Sequence, residues 1–346
     1  MELFGTAGIR GDVQATVTPS LALQVGQAAA AEAVAVEEQD VEFVVARVGR
    51  VRGEALVAAM VAGLESAGAD TVEVGQAATP ALAFASRGRY GVAITASHNP
   101  PTDNGIKLFR DGEEYSGDAE ARIEERVAAA EGPTEWDAWG SGEDQAVLSD
   151  YREAVVEYAK LLGEPLDGLD IVVDCGNGMA STTTPAVLRE LGAHVVTLNG
   201  NVDGHFPGRE SKPTAETLGD CMAFLEDGDA DFGIAHDGDA DRIVVLDGEG
   251  DVVHEDTVLA MLAEEYTRES DADDPVVVTT PNASARIDER VREAGGRVER
   301  VALGYLHDGI ADARAGGGDV VFAAEPWKHV HTQFGGCIDG VCSAAV

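Results

Sequence analysis

Short apolar runs alternate with longer stretches in which apolar residues recur at helical spacing, and this pattern repeats along the chain. In each copy an apolar run precedes a helical stretch, a turn of small residues and a second β-rich run. The copies span 41–74, 171–196 and 276–301. Alternation of this kind is typical of βαβ units in parallel or mixed sheets. Their separation of roughly 100 residues predicts three similar consecutive α/β domains rather than a solenoid of short repeats.

Two stretches of the sequence mark the expected boundaries between these domains. The stretch 130–149 contains Gly-Pro, two tryptophans and Gly-Ser-Gly, and a second boundary is expected near 251–256. We therefore expect domain I at 1–149, domain II at 150–253 and domain III at 254–346. A chain of 346 residues is long enough for each of them to bury a core.

Acidic residues outnumber basic ones, 63 Asp and Glu against 24 Lys and Arg, and the net charge is −39. Such a surface repels phosphate backbones and anionic lipids, so neither nucleic acid nor a membrane is an expected partner. The apolar fraction of 45% excludes a disordered acidic chain. Scattered acidic residues favour a halophilic protein adapted to strong salt, which screens self-repulsion, over a cation-binding surface.

The sequence predicts a cytoplasmic protein. Residues 1–5 have neither a basic end nor an apolar run, so no signal peptide is expected. The Ala-rich stretch 21–36 is too short and too polar to span a bilayer. The four cysteines lack metal-type spacing and are expected to be thiols in a reducing compartment. The oligomeric state is left open.

The sharpest chemical motif is acidic. Asp237, Asp239 and Asp241 alternate with small residues between two apolar, strand-like runs. Three carboxylates in this arrangement can converge on one hard cation, and oxygen ligands suit Mg²⁺. Arg242 follows at once, where it can contact a bound anion. The alternative is a solvated acidic turn, against which the flanking apolar runs argue.

A second motif surrounds Ser97, on a turn after the strand-like run 91–94. Loops at strand ends carry reactive groups in α/β folds. With His98 adjacent and Lys107 ten residues on, Ser97 is a candidate nucleophile or phosphoryl carrier. No Gly-x-Ser-x-Gly elbow surrounds it, which disfavours an acyl-transfer hydrolase. An ordinary Asn/Pro-rich turn with a capping serine is the alternative.

The two motifs together suggest phosphoryl transfer, because a cation neutralises and polarises a nearby phosphate. The pair, TASHNP at 95–100 and DGDADR at 237–242, resembles the α-D-phosphohexomutase superfamily, which includes phosphoglucomutase, phosphomannomutase and phosphoglucosamine mutase. Other stretches match in family order from residue 4 to about 340. They are the opening loop 4–11, the segment 206–218, the glycine loop 302–304 and the sugar-recognition loop 325–329.

The resemblance implies an α/β fold of three similar consecutive domains with mixed sheets around a cleft. It implies an isomerase in which phosphate passes from Ser97 to a hydroxyl of a sugar 1- or 6-phosphate, and the resulting bisphosphate returns its other phosphate. Mg²⁺ and a sugar 1,6-bisphosphate activator are the implied cofactors, and a small sugar phosphate is the implied partner. The sugar is left open among glucose, mannose, glucosamine and pentose.

Site residues follow from the resemblance at matching positions. Whether Lys107 or His98 takes the hydroxyl proton is left open, as is whether Trp327 stacks on a sugar or fills a core. The implied residues are catalytic Ser97, His98, Lys107 and Arg10; metal-binding Ser97, Asp237, Asp239 and Asp241; and substrate-binding Arg242, Gly304, Glu325, Trp327, Lys328 and His329.

The chain also departs from the family pattern. Near residues 46–50 the family usually has Gly-Arg-Asp, and in this chain Val48 replaces the acidic residue. In the sugar-recognition loop, Trp327 and Lys328 replace the usual Ser-Gly. The sequence ends at Val346, where the family continues into a smaller fourth domain that holds the non-reacting phosphate. We expect a fragment of a longer protein; the alternative is a natural three-domain variant. Such a variant would be a sugar-phosphate phosphatase or a non-catalytic sugar-phosphate-binding paralogue.

Overall fold

The computed structural model describes residues 3–5, 8–37, 40–115, 117–163 and 165–346. The chain divides into two compact units. The first comprises 1–151, 177–179 and 201–211, and the second comprises 152–176, 180–200 and 212–346. The expected domain I thus falls in the first unit, and most of domains II and III fall in the second. The boundaries at 149 and 253 stay predictions.

The first unit contains one mixed sheet with the strand order β1-β5-β4-β2-β3-β7, and β6 pairs with β5. Its strands are β1 (Ile9–Asp12), β2 (Glu42–Arg47), β3 (Asp70–Gln76), β4 (Tyr90–Ile94), β5 (Asp103–Arg110), β6 (Glu113–Glu114) and β7 (Gly142–Asp144). Its helices are α1 (Pro19–Val36), α2 (Gly53–Ser66), α3 (Thr79–Ala85) and α4 (Gly117–Ala129). The predicted βαβ unit is confirmed, because β2 and β3 run parallel. The expected connection 130–149 also contributes an edge strand, since β7 pairs with β3.

The second unit contains two mixed sheets, with strand orders β11-β10-β8-β9 and β13-β12-β14-β15. Their strands are β8 (Asp170–Asp174), β9 (His194–Leu198), β10 (Phe232–His236), β11 (Ile243–Asp247), β12 (Pro275–Thr279), β13 (Arg297–Arg300), β14 (Asp319–Glu325) and β15 (Lys328–Val330). The helices are α6 (Thr184–Glu190), α7 (Gly219–Glu226), α8 (Glu255–Arg268), α9 (Arg286–Glu293), α10 (Leu306–Ala315) and α11 (Gly340–Ala345), and α5 (Leu148–Leu162) crosses the division between the units. Both further βαβ predictions are confirmed, because β8 pairs parallel with β9 and β12 with β13.

The three sheets share one arrangement of strands, which determines where the candidate loops lie. In each, a strand with a parallel neighbour turns back into an antiparallel partner: β4 into β5, β10 into β11 and β14 into β15. The serine, acidic and sugar-recognition loops occupy these three turns. Each candidate loop therefore follows the carboxyl end of a strand, where α/β sheets commonly bind ligands.

Helices α1 and α2 pack with their backbones in close approach, which two glycines permit. A Cβ atom on Gly26 would lie 2.6 Å from the Met60 carbonyl oxygen, and one on Gly63 would lie 2.3 Å from that of Leu23. Neither distance is possible without a shift of the backbone. Glycine at both positions therefore allows the two helices to pack at this spacing, over the core that they share with strands of the first sheet.

We expect Gly63→Ala to lower the free energy of unfolding by about 1–3 kcal/mol, because overpacking outweighs the gain in helix propensity. Gly219→Ala, at the start of α7, is the matched control, since no described atom outside its own helix and chain neighbours lies within 4 Å of an added Cβ. It should leave stability near the wild-type value or raise it. Urea denaturation of both variants measures the difference. Equal midpoints would show that α1 and α2 separate at no cost.

None of the helices in the described ranges combines the length and the apolar character that a membrane span requires. Adaptation to strong salt stays a prediction from composition.

Candidate active site

Ser97 lies in the loop between β4 and β5 with a fully buried side chain. Its backbone has a φ of 45°, in the left-handed region, where a non-glycine residue is held only by its surroundings. The Ser97 N–H donates a hydrogen bond to Thr95 Oγ1 at 3.0 Å. Its Oγ lies 3.4 Å from Nδ1 of the half-buried His98. The turn therefore presents a serine hydroxyl, shielded from bulk water, beside an imidazole.

The other predicted catalytic residues contribute positive charge from the two strands beside this loop. Lys107 on β5 is 2% exposed, and its Nζ lies 3.4 Å from Glu114 Oε2. Arg10 on β1 pairs with β5 at Gly105, and its Nη1 lies 3.5 Å from Asn99 Oδ1. The structure thus places Lys107 and Arg10 in the same unit as Ser97. Thr6 and Ala7 of the predicted opening loop lie outside the described residues.

In the second unit, the acidic loop joins β10 to β11. Asp237 and Asp239 are fully buried and Asp241 is 4% exposed. One carboxylate oxygen from each lies within 4.8 Å of the other two. The predicted convergence of the three side chains is therefore present in the geometry.

Neighbouring elements fix the shape of the acidic loop. His236, the last residue of β10, contacts the Arg242 carbonyl oxygen through Nδ1 at 2.8 Å and Thr184 Oγ1 through Nε2 at 3.1 Å. Gly340, the first residue of α11, packs so closely that a Cβ there would lie 2.6 Å from the same carbonyl oxygen. Sequence reasoning missed both residues. The only signals were a polar residue ending an apolar strand and a glycine opening a short helix.

Arg242 is the counter-charge within this loop. Its Nε lies 3.6 Å from Asp241 Oδ1 and 3.8 Å from Asp237 Oδ2, and its side chain is 17% exposed. Burial works to lower the Arg242 pKa, but the charges of Asp241, Asp237 and Asp239 outweigh it and raise that pKa above its usual value. Arg242 therefore stays a cation that can bind an anionic substrate group.

The three aspartates fit the Mg²⁺ that the family resemblance implies. Buried carboxylates clustered this closely repel one another, and one guanidinium cannot balance all three charges. A hard cation with oxygen ligands resolves this imbalance. The donor set contains carboxylate oxygens without sulfur or imidazole, which favours Mg²⁺ over softer metals.

The sugar-recognition loop is a tight turn between β14 and β15, with Trp327 at its corner at a φ of 66°. Glu325 accepts hydrogen bonds from the Gly304 N–H at 3.0 Å and from Lys328 Nζ at 2.9 Å. Burial works to raise the Glu325 pKa, but the Gly304 hydrogen bond and the charges of Lys328 and Arg242 lower it below its usual value. Glu325 is therefore an ionised acceptor, and the structure brings Gly304, Glu325 and Lys328 together.

His329 and Trp327 lie apart from that group. His329 is 1% exposed, and its Nδ1 contacts Ser343 Oγ at 3.0 Å. Among the described residues its Nε2 has no hydrogen-bond partner, and burial lowers its pKa to about 4. Trp327 packs against the apolar core that includes Val172 and Leu218. His329 therefore points into the interior, while Trp327 is only partly buried against that core. The two alternatives for Trp327, stacking on a sugar or filling a core, stay predictions.

Comparison with known proteins identifies what the chain is similar to. A family model for the first α/β/α domain of phosphoglucomutase/phosphomannomutase matches residues 1–133, and the model for the second such domain matches 149–250. A phosphopentomutase of Thermococcus kodakarensis is 41% identical over 343 residues, which cover 98% of this chain and 72% of that protein. A phosphoglucosamine mutase of Saccharopolyspora erythraea is 40% identical over 327 residues, covering 91% of this chain and 71% of that protein.

Solved structures give a similar result. The crystal structure of a phosphoglucomutase/phosphomannomutase family protein from Burkholderia thailandensis superimposes with a TM-score of 0.86 at 30% identity. The match covers 98% of this chain and 75% of that one. The fold described above is therefore shared across nearly the whole of this chain.

Proposed function

This chain belongs to the α-D-phosphohexomutase superfamily, and from that premise we propose that it is a sugar-phosphate mutase, an isomerase that moves a phosphoryl group within one sugar. The substrates in this proposal are a sugar 1-phosphate and the phosphate ester of the same sugar's primary hydroxyl, which is the 6-phosphate of a hexose. The corresponding bisphosphate is both intermediate and activator. The relatives named phosphopentomutase and phosphoglucosamine mutase support a sugar phosphate as substrate.

The observation that carries the proposal is the cluster of Asp237, Asp239 and Asp241, whose buried oxygens converge within 4.8 Å. These residues would hold Mg²⁺. When bound, the ion supplies positive charge that neutralises phosphoryl oxygens. A buried carboxylate cluster with an arginine beside it serves phosphate chemistry far better than hydrolysis of neutral esters.

In this mechanism Ser97 carries the phosphoryl group. When the group passes to a sugar hydroxyl, the bond between phosphorus and Ser97 Oγ breaks and a new bond to the sugar oxygen forms. The sugar hydroxyl gives up its proton as its oxygen bonds to phosphorus, and Ser97 Oγ takes up one proton as it leaves. His98, 3.4 Å from Ser97 Oγ, is placed to relay that proton from the one oxygen to the other. The Lys107 Nζ lies 3.4 Å from Glu114 Oε2, and we assign Lys107 to stabilising charge on the transferring group.

The remaining residues bind and orient the sugar phosphate. Arg242 offers a guanidinium to a phosphate, and Glu325 offers an ionised carboxylate to sugar hydroxyls. Lys328 Nζ donates a hydrogen bond to one carboxylate oxygen of Glu325 at 2.9 Å. Lys328 therefore helps to determine which sugar hydroxyls can donate a hydrogen bond to Glu325. Positioning and charge stabilisation provide most of the rate enhancement in such transfers.

Intact mass measurement with phosphopeptide mapping tests this function. We expect wild-type protein treated with glucose 1,6-bisphosphate to carry one phosphoryl group, on Ser97. The group should leave on incubation with Mg²⁺ and the sugar monophosphate that is the substrate, and a panel of glucose, mannose, glucosamine and ribose phosphates identifies which one. Protein that takes up no phosphate would contradict the proposal. Loss of the phosphate to water at the same rate without any sugar would indicate a phosphatase instead.

A further inference from the structure

Arg50 lies in the connection between β2 and α2 and is 2% exposed. Its Nη1 donates hydrogen bonds to the carbonyl oxygens of Pro100 at 2.7 Å and Asp103 at 3.0 Å. Its Nη2 donates to the carbonyl oxygens of Ser97 at 2.8 Å and Asn99 at 2.5 Å. A single guanidinium thus holds four backbone carbonyls of the loop that presents the serine.

Arg50 is itself held in place. Its Cζ lies 5.1 Å from the centre of the Phe206 ring, in a cation–π contact. Gly204 packs against its backbone, where an added Cβ would lie 2.8 Å from the Arg50 Cα. Ser211 Oγ donates a hydrogen bond to the Asn99 carbonyl oxygen at 3.0 Å, beside the Arg50 contact. All of these residues belong to the first unit, so the arrangement is complete within it.

The chemistry of the loop explains why it needs such a restraint. Ser97 has a left-handed backbone conformation. This conformation is unfavourable for serine and persists only where contacts with neighbouring residues stabilise it. Carbonyl oxygens turned towards one point also repel one another, and a planar cation with donors in fixed directions offsets that repulsion. Lysine has the same charge but cannot hold four acceptors in this geometry.

We propose that Arg50 is a positioning residue for phosphoryl transfer, which holds the Ser97 loop in the conformation that aligns the serine oxygen with the phosphoryl group. The inference rests on the proposed function, since it concerns the step in which Ser97 gives or receives phosphate. Arg50 acts through the loop backbone and does not contact the sugar. Its loss should therefore slow transfer without weakening sugar binding.

The test compares Arg50→Lys and Arg50→Ala with Arg47→Lys. Arg47 is the last residue of β2, and its guanidinium pairs with the exposed Glu54 at 2.6 Å. We expect Arg50→Lys to lower kcat about 100-fold, the scale of a small misalignment of reacting groups, while KM stays near the wild-type value. Hydrogen exchange at the amides of 95–99 and 102–104 should accelerate in Arg50→Lys and be unchanged in Arg47→Lys.

Chemical rescue separates positioning from a structural role. Methylguanidinium should restore part of kcat to Arg50→Ala, whereas methylammonium, with the same charge but no fork of donors, should not. A folded Arg50→Lys with wild-type kcat, or one whose KM rises while kcat holds, would overturn the inference. Failure of both Arg50 variants to fold would also overturn the inference, because Arg50 would then be required for the stability of the whole first unit. If wild-type protein takes no phosphate on Ser97, the proposed function fails instead.

Discussion

Ser97→Ala should reduce mutase turnover at least about 10⁴-fold, the scale seen when a covalent catalyst loses its nucleophile. The variant should take up no phosphate from glucose 1,6-bisphosphate, because no oxygen remains at the position that receives it. Its free energy of unfolding should stay within about 1 kcal/mol of the wild-type value, since alanine can adopt the same backbone conformation and the substitution removes a single hydroxyl, which lies 3.4 Å from His98 Nδ1. Coupled turnover assays and intact mass measure both effects.

Ser86→Ala is the matched control for this prediction. Ser86 is equally buried and lies just beyond α3, where its hydroxyl donates to the Ala83 carbonyl oxygen at 3.0 Å. Its replacement removes a buried serine hydroxyl in the same unit, before the start of β4, whereas the serine loop follows the other end of that strand. Turnover and phosphate uptake should be unchanged. Phosphorylation of Ser97→Ala at another residue, with turnover retained, would show that Ser97 is not the carrier.

The architecture could be predicted because it depends on local pattern. The apolar runs at 41–45, 171–173 and 276–278 each became a strand with a parallel neighbour. Alternation of short apolar runs with amphipathic stretches determines such units with little help from the rest of the chain. The convergence of Asp237, Asp239 and Asp241 was predictable for the same reason, since all three lie on one short loop between paired strands.

Features that depend on contacts between distant segments could not be predicted. The hydrogen bonds from Arg50 to the serine loop join residues about fifty positions apart. No local sequence pattern indicates which carbonyl oxygens an arginine will contact. Gly340 packs against Arg242 from almost a hundred residues away. These pairings follow from the register of strands and the packing of helices, which the sequence specifies only through the whole fold.

The sugar-recognition loop shows a subtler limit. The motif resemblance names the residues of this loop, but the direction of each side chain depends on the turn between β14 and β15. The short turn through Trp327 pairs Glu325 with Lys328 and leaves His329 facing Ser343. A one-residue difference in that turn would exchange the two faces of the strand. Motif matching alone therefore placed His329 in the loop but did not give its orientation.

Asp239→Asn should lower turnover about 1,000-fold while leaving the protein as stable as the wild type, or more stable, in the absence of Mg²⁺. Asp239 is the most informative of the three carboxylates, because Asp237 and Asp241 also pair directly with Arg242 and their replacement would change two interactions together. Removing one of three converging charges relieves repulsion in the metal-free protein. It also replaces a charged carboxylate with a neutral amide, which binds Mg²⁺ much more weakly, so the increase in melting temperature that Mg²⁺ gives the wild type should shrink to a small fraction.

The two opposite effects distinguish a metal site from an acidic turn that only packs. Asp229→Asn is the control, since Asp229 is an exposed carboxylate in the same unit just before β10 and its loss makes the same change in net charge. That variant should keep both its turnover and its Mg²⁺-dependent melting shift. If Asp239→Asn keeps the full shift, the cation binds elsewhere. If Asp239→Asn melts well below the wild type without Mg²⁺, then Asp239 stabilises the fold through hydrogen bonding. That result would contradict a metal site at this loop.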